Sequence, residues 1–360
     1  DMGSGYPDVI SEVETDVVVI DHHNPVGRIE PKKAFAHVNP HLAGYDGTYE
    51  LSASGTAYFV ARELGGNEDL SSIAVVGMIG DKQKIAGANA EIVKEGELRG
   101  YIERKLGVNL HSGKLRDVLT CSIEPYLDFY KKEKELELFL TKAKLDGEKS
   151  VDELTVEEMQ RLADAVALRM LGMGAYEGVI EEVIGTRLWL NNMLIKNAVM
   201  LADIVNSCGR AAAMGVGLAV LLGDETYLNK AQEIHKKYVI EILEELVKRR
   251  KDVKEGFCIR YIVMKDAPST SPVATTYSRY LFSDKPLIVI NIKNGKVKVS
   301  ARTTEKLSER VNLAEVMYLA AEKVGGRGGG HRVAAGANIS PEKVEEFLKE
   351  VDRLCCAMLA

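Results

Sequence analysis

The sequence predicts an α/β protein: a parallel-sheet domain first, then a helical insertion, then a long helix leading to a C-terminal α+β domain. Three observations carry this reading. Residues 16–20, Asp-Val-Val-Val-Ile, hold a short apolar run that reads as a buried strand and stops abruptly at Asp21-His22-His23. Residues 91–195 lose such runs and become charged and amphipathic. Residues 287–292 and 296–301 are strand-like and flank Asn294-Gly295, a hairpin signal, with helical patterns after them.

The bulk numbers bound the function. The 360 residues are 46% apolar and 28% charged, ordinary for a soluble globular chain and enough for two or three domains. With 47 basic and 53 acidic side chains the net charge is −6, which argues against nonspecific avidity for a polyanion but leaves room for a local basic groove. No apolar run approaches the roughly 18 residues of a membrane span, and no signal-peptide pattern opens the sequence. The expected location is the cytoplasm. Cys121, Cys208, Cys258, Cys355 and Cys356 show no Cys-x-x-Cys spacing, and the adjacent pair is poorly placed for an ordinary disulfide. All five are expected to be reduced, small, buried residues.

Asp1-Met2-Gly3-Ser4-Gly5 sets a carboxylate before small residues, which suits a metal-reaching Asp with close backbone approach, although these residues alone favour a plain Gly-Ser turn. In open α/β sheets ligands sit beyond the carboxyl ends of strands. The run at 16–20 would therefore deliver Asp21, His22 and His23 to such a place; the competing reading is two exposed histidines in a surface loop. Asn39-Pro40 marks a turn. Residues 52–64, with Ala57, Phe59, Val60 and Leu64 in phase, read as a helix stopped by Gly65-Gly66. Residues 72–79 are apolar, strand or buried helix, and hand over Gly80-Asp81, where the Asp is a ligand or a cap.

In the charged middle, 131–144 reads as a solvated helix face. Thr155 and Glu158 form a capping-box pattern ahead of Leu162, Val166 and Met170, and Gly172 and Gly174 end that helix. Residues 201–250 are helical again. They contain Asn206-Ser207-Cys208-Gly209-Arg210 and end in Lys248-Arg249-Arg250-Lys251, either a solvated helix C-terminus or a phosphate-tracking run. Near the end, Asn312 is expected to cap a helix that stops near Gly325. Ser340-Pro341 opens the last helix, with Val344, Phe347, Leu348 and Val351 on one face.

Between those helices lies 325–336, Gly-Gly-Arg-Gly-Gly-Gly-His-Arg-Val-Ala-Ala-Gly. Read as a loop, its glycines expose backbone N–H groups that can form an anion nest, and Arg327, His331 and Arg332 add donors for phosphate. No Gly-Lys-Ser/Thr follows, so it is not a P-loop. A flexible linker would hold Ser and other polar residues instead. Arg302, at the end of the hairpin, is expected to point to the same place.

Together these pieces resemble the DHH phosphoesterase family, in the branch with a DHH-associated C-terminal domain. Asp21-His22-His23 matches the naming motif, and Gly328-Gly329-Gly330-His331 with Ala334-Ala335-Gly336 matches the C-terminal signature. Asp1-x-Gly3-Ser4 is similar to the second motif and Gly80-Asp81 to the fourth. The length of the middle and Asn206-x-x-Gly209-Arg210 resemble the RecJ-type exonucleases, within them the archaeal RecJ-like nucleases that associate with the GINS complex.

The resemblance implies a DHH domain over 1–90, a helical insertion over 91–195, remaining helices and a connecting helix over 196–252, and a DHH-associated domain over 253–360. It implies a cytoplasmic archaeal protein of DNA replication or repair, or of RNA processing. Its activity would be an exonuclease acting on single-stranded DNA or RNA with two Mn²⁺ ions, or Mg²⁺ in their place. GINS and the replicative helicase would be protein partners. Asp1 would bridge the two ions, with His22 and Asp81 completing one site. His23 would donate near the scissile phosphate, and Asp21 would orient the pair. Arg302, Gly328, Gly329, Gly330 and His331, with Asn206 and Arg210, would bind substrate. The family's first motif, a His with two Asp residues ahead of the Asp1 segment, is not in this sequence, which is expected to be part of a longer protein. Two other readings compete: a phosphodiesterase or phosphatase acting on short oligonucleotides or small nucleotides, and a catalytically weak replisome scaffold that binds GINS.

Overall fold

Strand β1 (Val17–Ile20) forms where the apolar run predicts it and pairs in parallel with β2 (Phe35–Val38), Val17 opposite Phe35 and Ile20 opposite Val38. This computed structural model describes residues 1–360. The expected burial of β1 holds only for Val19; Val18 keeps 63% of its surface, because the two-stranded sheet alternates its side chains and covers only one face. Over Val19 runs Gly3, at φ +126°, where a Cβ would come within 2.7 Å of the Val19 side chain. Only glycine lets the N-terminal backbone cross the strand there.

The chain divides into two compact units, Asp1–Leu106 with Thr186–His235, and Gly107–Gly185 with Lys236–Ala360. In the first unit the pattern over 52–64 forms the helix Ala53–Glu63, and Ser52 caps it by accepting from Gly55 N–H. The ambiguous stretch 72–79 is a helix, Ser71–Gly80, with Asp81 as its C-cap residue. With the helix Gly87–Leu98 and the helix Ala198–Arg210 it builds a core around Val75, Ile92, Leu201 and Ile204, all fully buried. Strands β3 (Ile102–Val108) and β4 (Ile184–Leu190) form a separate two-stranded sheet.

The second unit is organised on a six-stranded sheet in the order β5-β6-β7-β8-β10-β9. Its strands are β5 (Lys254–Glu255), β6 (Arg260–Lys265), β7 (Leu287–Lys293), β8 (Lys296–Arg302), β9 (Arg327–Gly330) and β10 (Ala334–Ile339). Only β6 and β7 run parallel. Asn294 (φ 51°) and Gly295 (φ 69°) turn the β7–β8 hairpin, the left-handed pair that Asn-Gly favours. One face, with Ile288, Ile290, Val299 and Ala301, packs on the helices Leu313–Lys323 and Val344–Leu359. The other, with Ile262, Met264, Leu287 and Val289, shares one core with the helix Ser271–Tyr280, with Leu140, Leu162 and Met170 from the middle of the chain, and with Leu243 and Leu246 from the helix Leu228–Arg249.

That shared core is why the observed division differs from the four expected segments. Residues 107–185 form a covering layer for the C-terminal sheet, and so belong with it. Within that layer the helix Val156–Met173 carries its capping box intact: Glu158 N–H donates to the Thr155 hydroxyl, and the Glu158 carboxylate accepts from Thr155 N–H. Three of the four basic side chains of the run 248–251, at the end of the helix Leu228–Arg249, are paired within the fold. Arg249 meets Glu245 and Asp252, Lys248 meets Glu245, and Arg250 meets Asp128. This favours the helix-terminus reading over phosphate tracking.

Two expectations are corrected here. Residues 325–336 are not a glycine loop: they form the β9–β10 edge hairpin, turned by Arg332-Val333, with backbone bonds between His331 and Ala334 in both directions. Gly329 takes a bonded position in the ladder opposite Gly336, while Gly328 and Gly330 fall at the non-bonded positions of the edge strand; the run is extended strand, not a nest. The cysteines are not all reduced either. Cys258, just ahead of β6, is disulfide-bonded to Cys356 in the last helix, 98 residues away, with their Cα atoms 5.3 Å apart. Asp352, one turn before Cys356, accepts from the N–H groups of Phe257 and Cys258 and seats that loop on the helix. Cys208 and Cys355 are buried as expected, and Cys121 is exposed. No helix is long and apolar enough to cross a membrane.

Candidate functional site

Strand β1 ends at Asp21, and the side chains beyond it converge. Asp21 is 1% exposed and accepts at both carboxylate oxygens. Oδ2 takes the Ser4 N–H at 2.9 Å; Oδ1 takes His22 N–H at 2.8 Å and the His23 ring Nδ1–H at 2.7 Å. Burial works against the charge, but the bonds from His23 and Ser4 outweigh it and hold the Asp21 carboxyl well below the usual range. Asp21 is thus a permanent anion that fixes the His-His turn and gives His23 its tautomer, proton on Nδ1 and Nε2 pointing elsewhere.

His22 is arranged the other way round. Its Nδ1 lies 2.8 Å from Gly47 O, to which it donates, and Gln83 Nε2 donates to the same carbonyl at 2.7 Å. Nε2 then carries the lone pair, yet it faces Asp1 Oδ1 at 3.1 Å and Asp81 Oδ2 at 3.9 Å. An acceptor facing two carboxylates is satisfied only by a cation between them or a proton on the ring. Crowding by surrounding atoms pushes the Asp81 carboxyl up, opposed by His22 and His23. His23 Nδ1 lies 3.9 Å from Asp1 Oδ1, and Asp1, His22 and His23 each offer a ligand atom within 4.8 Å of the others. Oxygen and imidazole donors at this spacing fit a divalent ion such as Mn²⁺ or Mg²⁺.

Several supports were not visible in the sequence. Ser4 Oγ is 2.9 Å from His37 Nε2, and Asn39 Nδ2 donates to Ser4 Oγ and to His23 O, each at 2.9 Å. Only the parallel β1–β2 pairing brings the ends of those strands together, so no local pattern announces it. Asn39 also caps the short turn it precedes, accepting from His41 N–H. Gly47 has a steric reason: a Cβ there would fall 2.1 Å from His22 O. Gln83 is steadied by Asn89, and its place two residues after Asp81 was the one available clue.

Asn206 and Arg210 sit exposed on the last turns of the helix Ala198–Arg210, and no hydrogen bond joins them to Asp1, His22 or Asp81. The remaining expected binding residues lie in the second unit. Arg302 ends β8 opposite Ala334, the residue bonded to His331. Its guanidinium donates to Thr275 Oγ1, Ser271 Oγ and Ala301 O. Arg332 instead donates to Ser308 O and Glu309 O and serves the fold.

The glycines of β9 separate by face. A Cβ on Gly328 would fall 2.1 Å from Met317 O, and one on Gly330 2.6 Å from Ala335 Cα. These two allow the Leu313–Lys323 helix and the neighbouring strand to approach. Gly329 points the opposite way, where a Cβ would meet nothing within 4 Å. It lies in register with Gly336 and Ser300, on the face that carries Arg302.

Comparisons with known proteins agree with this layout. The DHHA1 domain matches residues 261–356. The uncharacterized protein MJ0831 of Methanocaldococcus jannaschii is 31% identical over 360 residues, spanning 98% of this chain and 79% of its own. Among solved structures, CDC45 from Entamoeba histolytica is similar with a TM-score of 0.61 at 12% identity, over 97% of this chain and 81% of that one. RecJ from Thermus thermophilus, in complex with Mn²⁺, is similar with a TM-score of 0.55 at 17% identity, over 98% of this chain and 43% of that one. At such identities the two structures speak to the fold.

Proposed function

This chain belongs to the DHH phosphoesterase family, RecJ-like in fold and carrying a C-terminal DHHA1 domain, and on that footing we propose that it is a divalent-metal-dependent exonuclease of single-stranded DNA or RNA. One observation carries the reading: the His22 Nε2 lone pair, fixed by Gly47 O, is aimed between the Asp1 and Asp81 carboxylates.

In this reading Asp1, His22 and Asp81 would hold divalent metal, Mn²⁺ or Mg²⁺. The bound ions would supply an acidified water and Lewis-acid stabilisation of charge on the phosphoryl oxygens. The protein's own groups do the rest. Asp21 holds the Nδ1–H of His23, so a protonated His23 donates from Nε2 to an oxygen that gains charge. Gly47 and Gln83 keep His22 in one tautomer and orientation. Arg302 and the Gly329 strip, with Gly328, Gly330 and His331 forming the hairpin around them, bind the nucleic-acid backbone. Asn206 and Arg210 are assigned a further contact with it. The setting proposed is DNA replication or repair, with GINS and the replicative helicase as candidate protein partners.

The test is Mn²⁺-dependent digestion of end-labelled single-stranded DNA and RNA by the protein and by Asp81→Ala. A ladder that the substitution abolishes supports the reading, and the labelled end gives polarity. Cleavage confined to di- and trinucleotides would replace it with the small-substrate reading. No cleavage with any divalent metal, together with retention of GINS by the Asp81→Ala protein, would replace it with the scaffold.

A further inference from the structure

We propose that Ser271 and Thr275 are positioning residues that fix the Arg302 guanidinium for a phosphate of the substrate. The inference rests on the exonuclease reading and deepens it. Arg302 Nε–H donates to Thr275 Oγ1 at 3.1 Å, one terminal nitrogen donates to Ser271 Oγ at 2.6 Å, and the other donates to Ala301 O at 2.9 Å. Bonds from all three nitrogens fix the plane of the group, not merely its location. Ser271 and Thr275 are four residues apart, so both hydroxyls project from one side of the start of the helix Ser271–Tyr280.

The same turn is tied to β8 a second time, through Thr270 Oγ1 and Ser300 Oγ at 2.7 Å. Thr270 stands at the N-cap position, yet its side chain makes no capping bond. A hydroxyl that ordinarily satisfies a helix end is turned toward the strand. A guanidinium beside a helix start also meets the positive end of the helix dipole, which is unfavourable unless an anion shares the place. Beside Ser300, in register across the sheet, lie Gly336 and Gly329, and Gly329 leaves its side of the strand bare. A preoriented cation on the same face as the half-buried, uncovered Gly329 suits a phosphodiester or terminal phosphate of a single strand, whose backbone oxygens such groups recognise.

The experiment is a mutant cycle on the protein. Ser271→Ala combined with Thr275→Val is made alone and with Arg302→Ala. The readouts are KM and kcat for digestion, and Kd for a single-stranded oligonucleotide in EDTA, where nothing is cleaved. The pair is expected to raise KM and Kd about tenfold with kcat within about twofold. Added to Arg302→Ala it should change nothing more, because its effect passes through Arg302. Ser271→Thr with Thr275→Ser, which keeps both hydroxyls, should bind as the parent does. The proposal is overturned if the pair weakens binding equally in the Arg302→Ala background, or if it has no effect while Arg302→Ala does. If Arg302→Ala itself leaves Kd unchanged, the substrate-binding reading of this face falls as well.

Discussion

The two polar constellations of this protein are built on opposite plans. The Asp21-His22-His23 group hangs from a two-stranded sheet, and its supports come from several loops: Ser4, Asn39, Gly47 and Gln83. It is organised by one buried anion, Asp21, and it gathers carboxylates around an imidazole lone pair. The Arg302 group stands at the margin of a six-stranded sheet whose centre is covered on both faces, and hydroxyls from a packed helix clamp its cation. If the first group holds a metal as proposed, the ion would complete the order that the hydrogen bonds on Asp21 and His22 begin. If the second group binds a flexible strand as proposed, it would have no such help, and its order would rest on the frame.

The sharpest way to break this contrast is to remove His22. His22→Ala should lower kcat by at least about a hundredfold, and should abolish the rise in melting temperature that Mn²⁺ gives the parent protein. Arg302→Ala should leave that rise intact. Thermal melts with and without Mn²⁺ check both; a Mn²⁺ effect surviving His22→Ala would show that the ion binds elsewhere.

A second test sits on neighbouring residues. Gly328→Ala should destabilise the protein by about 2–3 kcal/mol, because the methyl group meets Met317 O. Gly329→Ala should cost under about 0.5 kcal/mol and weaken oligonucleotide binding instead. Urea melts and binding titrations on the two variants separate frame from surface.

The smallest effect concerns the frame alone. Asp128 is buried, and although burial opposes its charge, hydrogen bonds from Lys132 and Tyr126 and the nearby Arg250 hold its carboxyl below the ordinary range. Its stabilisation is therefore complete above the ordinary carboxylate pKa of about 4 and is lost as pH falls through the lower native value. Asp128→Asn should flatten that acid limb, as read from melts between about pH 2 and pH 6. An unchanged limb would move the acid response to other carboxylates.

The legible parts of the fold were those whose signals are local. The helix over 52–64, the Thr155 cap, the Asn294-Gly295 turn and the apolar run before Asp21 each declare themselves within a few residues, and each formed where expected. What stayed hidden depends on distance along the chain. Asn39 looked like a turn residue until β2 lay beside β1. The disulfide joins Cys258 to a residue 98 positions on. The hairpin at 327–339 hid for a different reason: glycine has low strand propensity and no side chain, so its alternation leaves no trace in a hydrophobicity pattern. The layer role of 107–185 became visible only once its apolar faces met the C-terminal sheet.

The two-residue turn at Arg332-Val333 acts as a phase lock for the strand before it. Side-chain direction in a strand repeats every two residues, so one residue inserted or deleted there would exchange the two faces of β9. Gly328 would turn outward and Gly329 would turn toward the Met317 backbone. For this hairpin, length is under tighter control than composition: a substituted turn still presents the same glycine, whereas a lengthened one presents its neighbour.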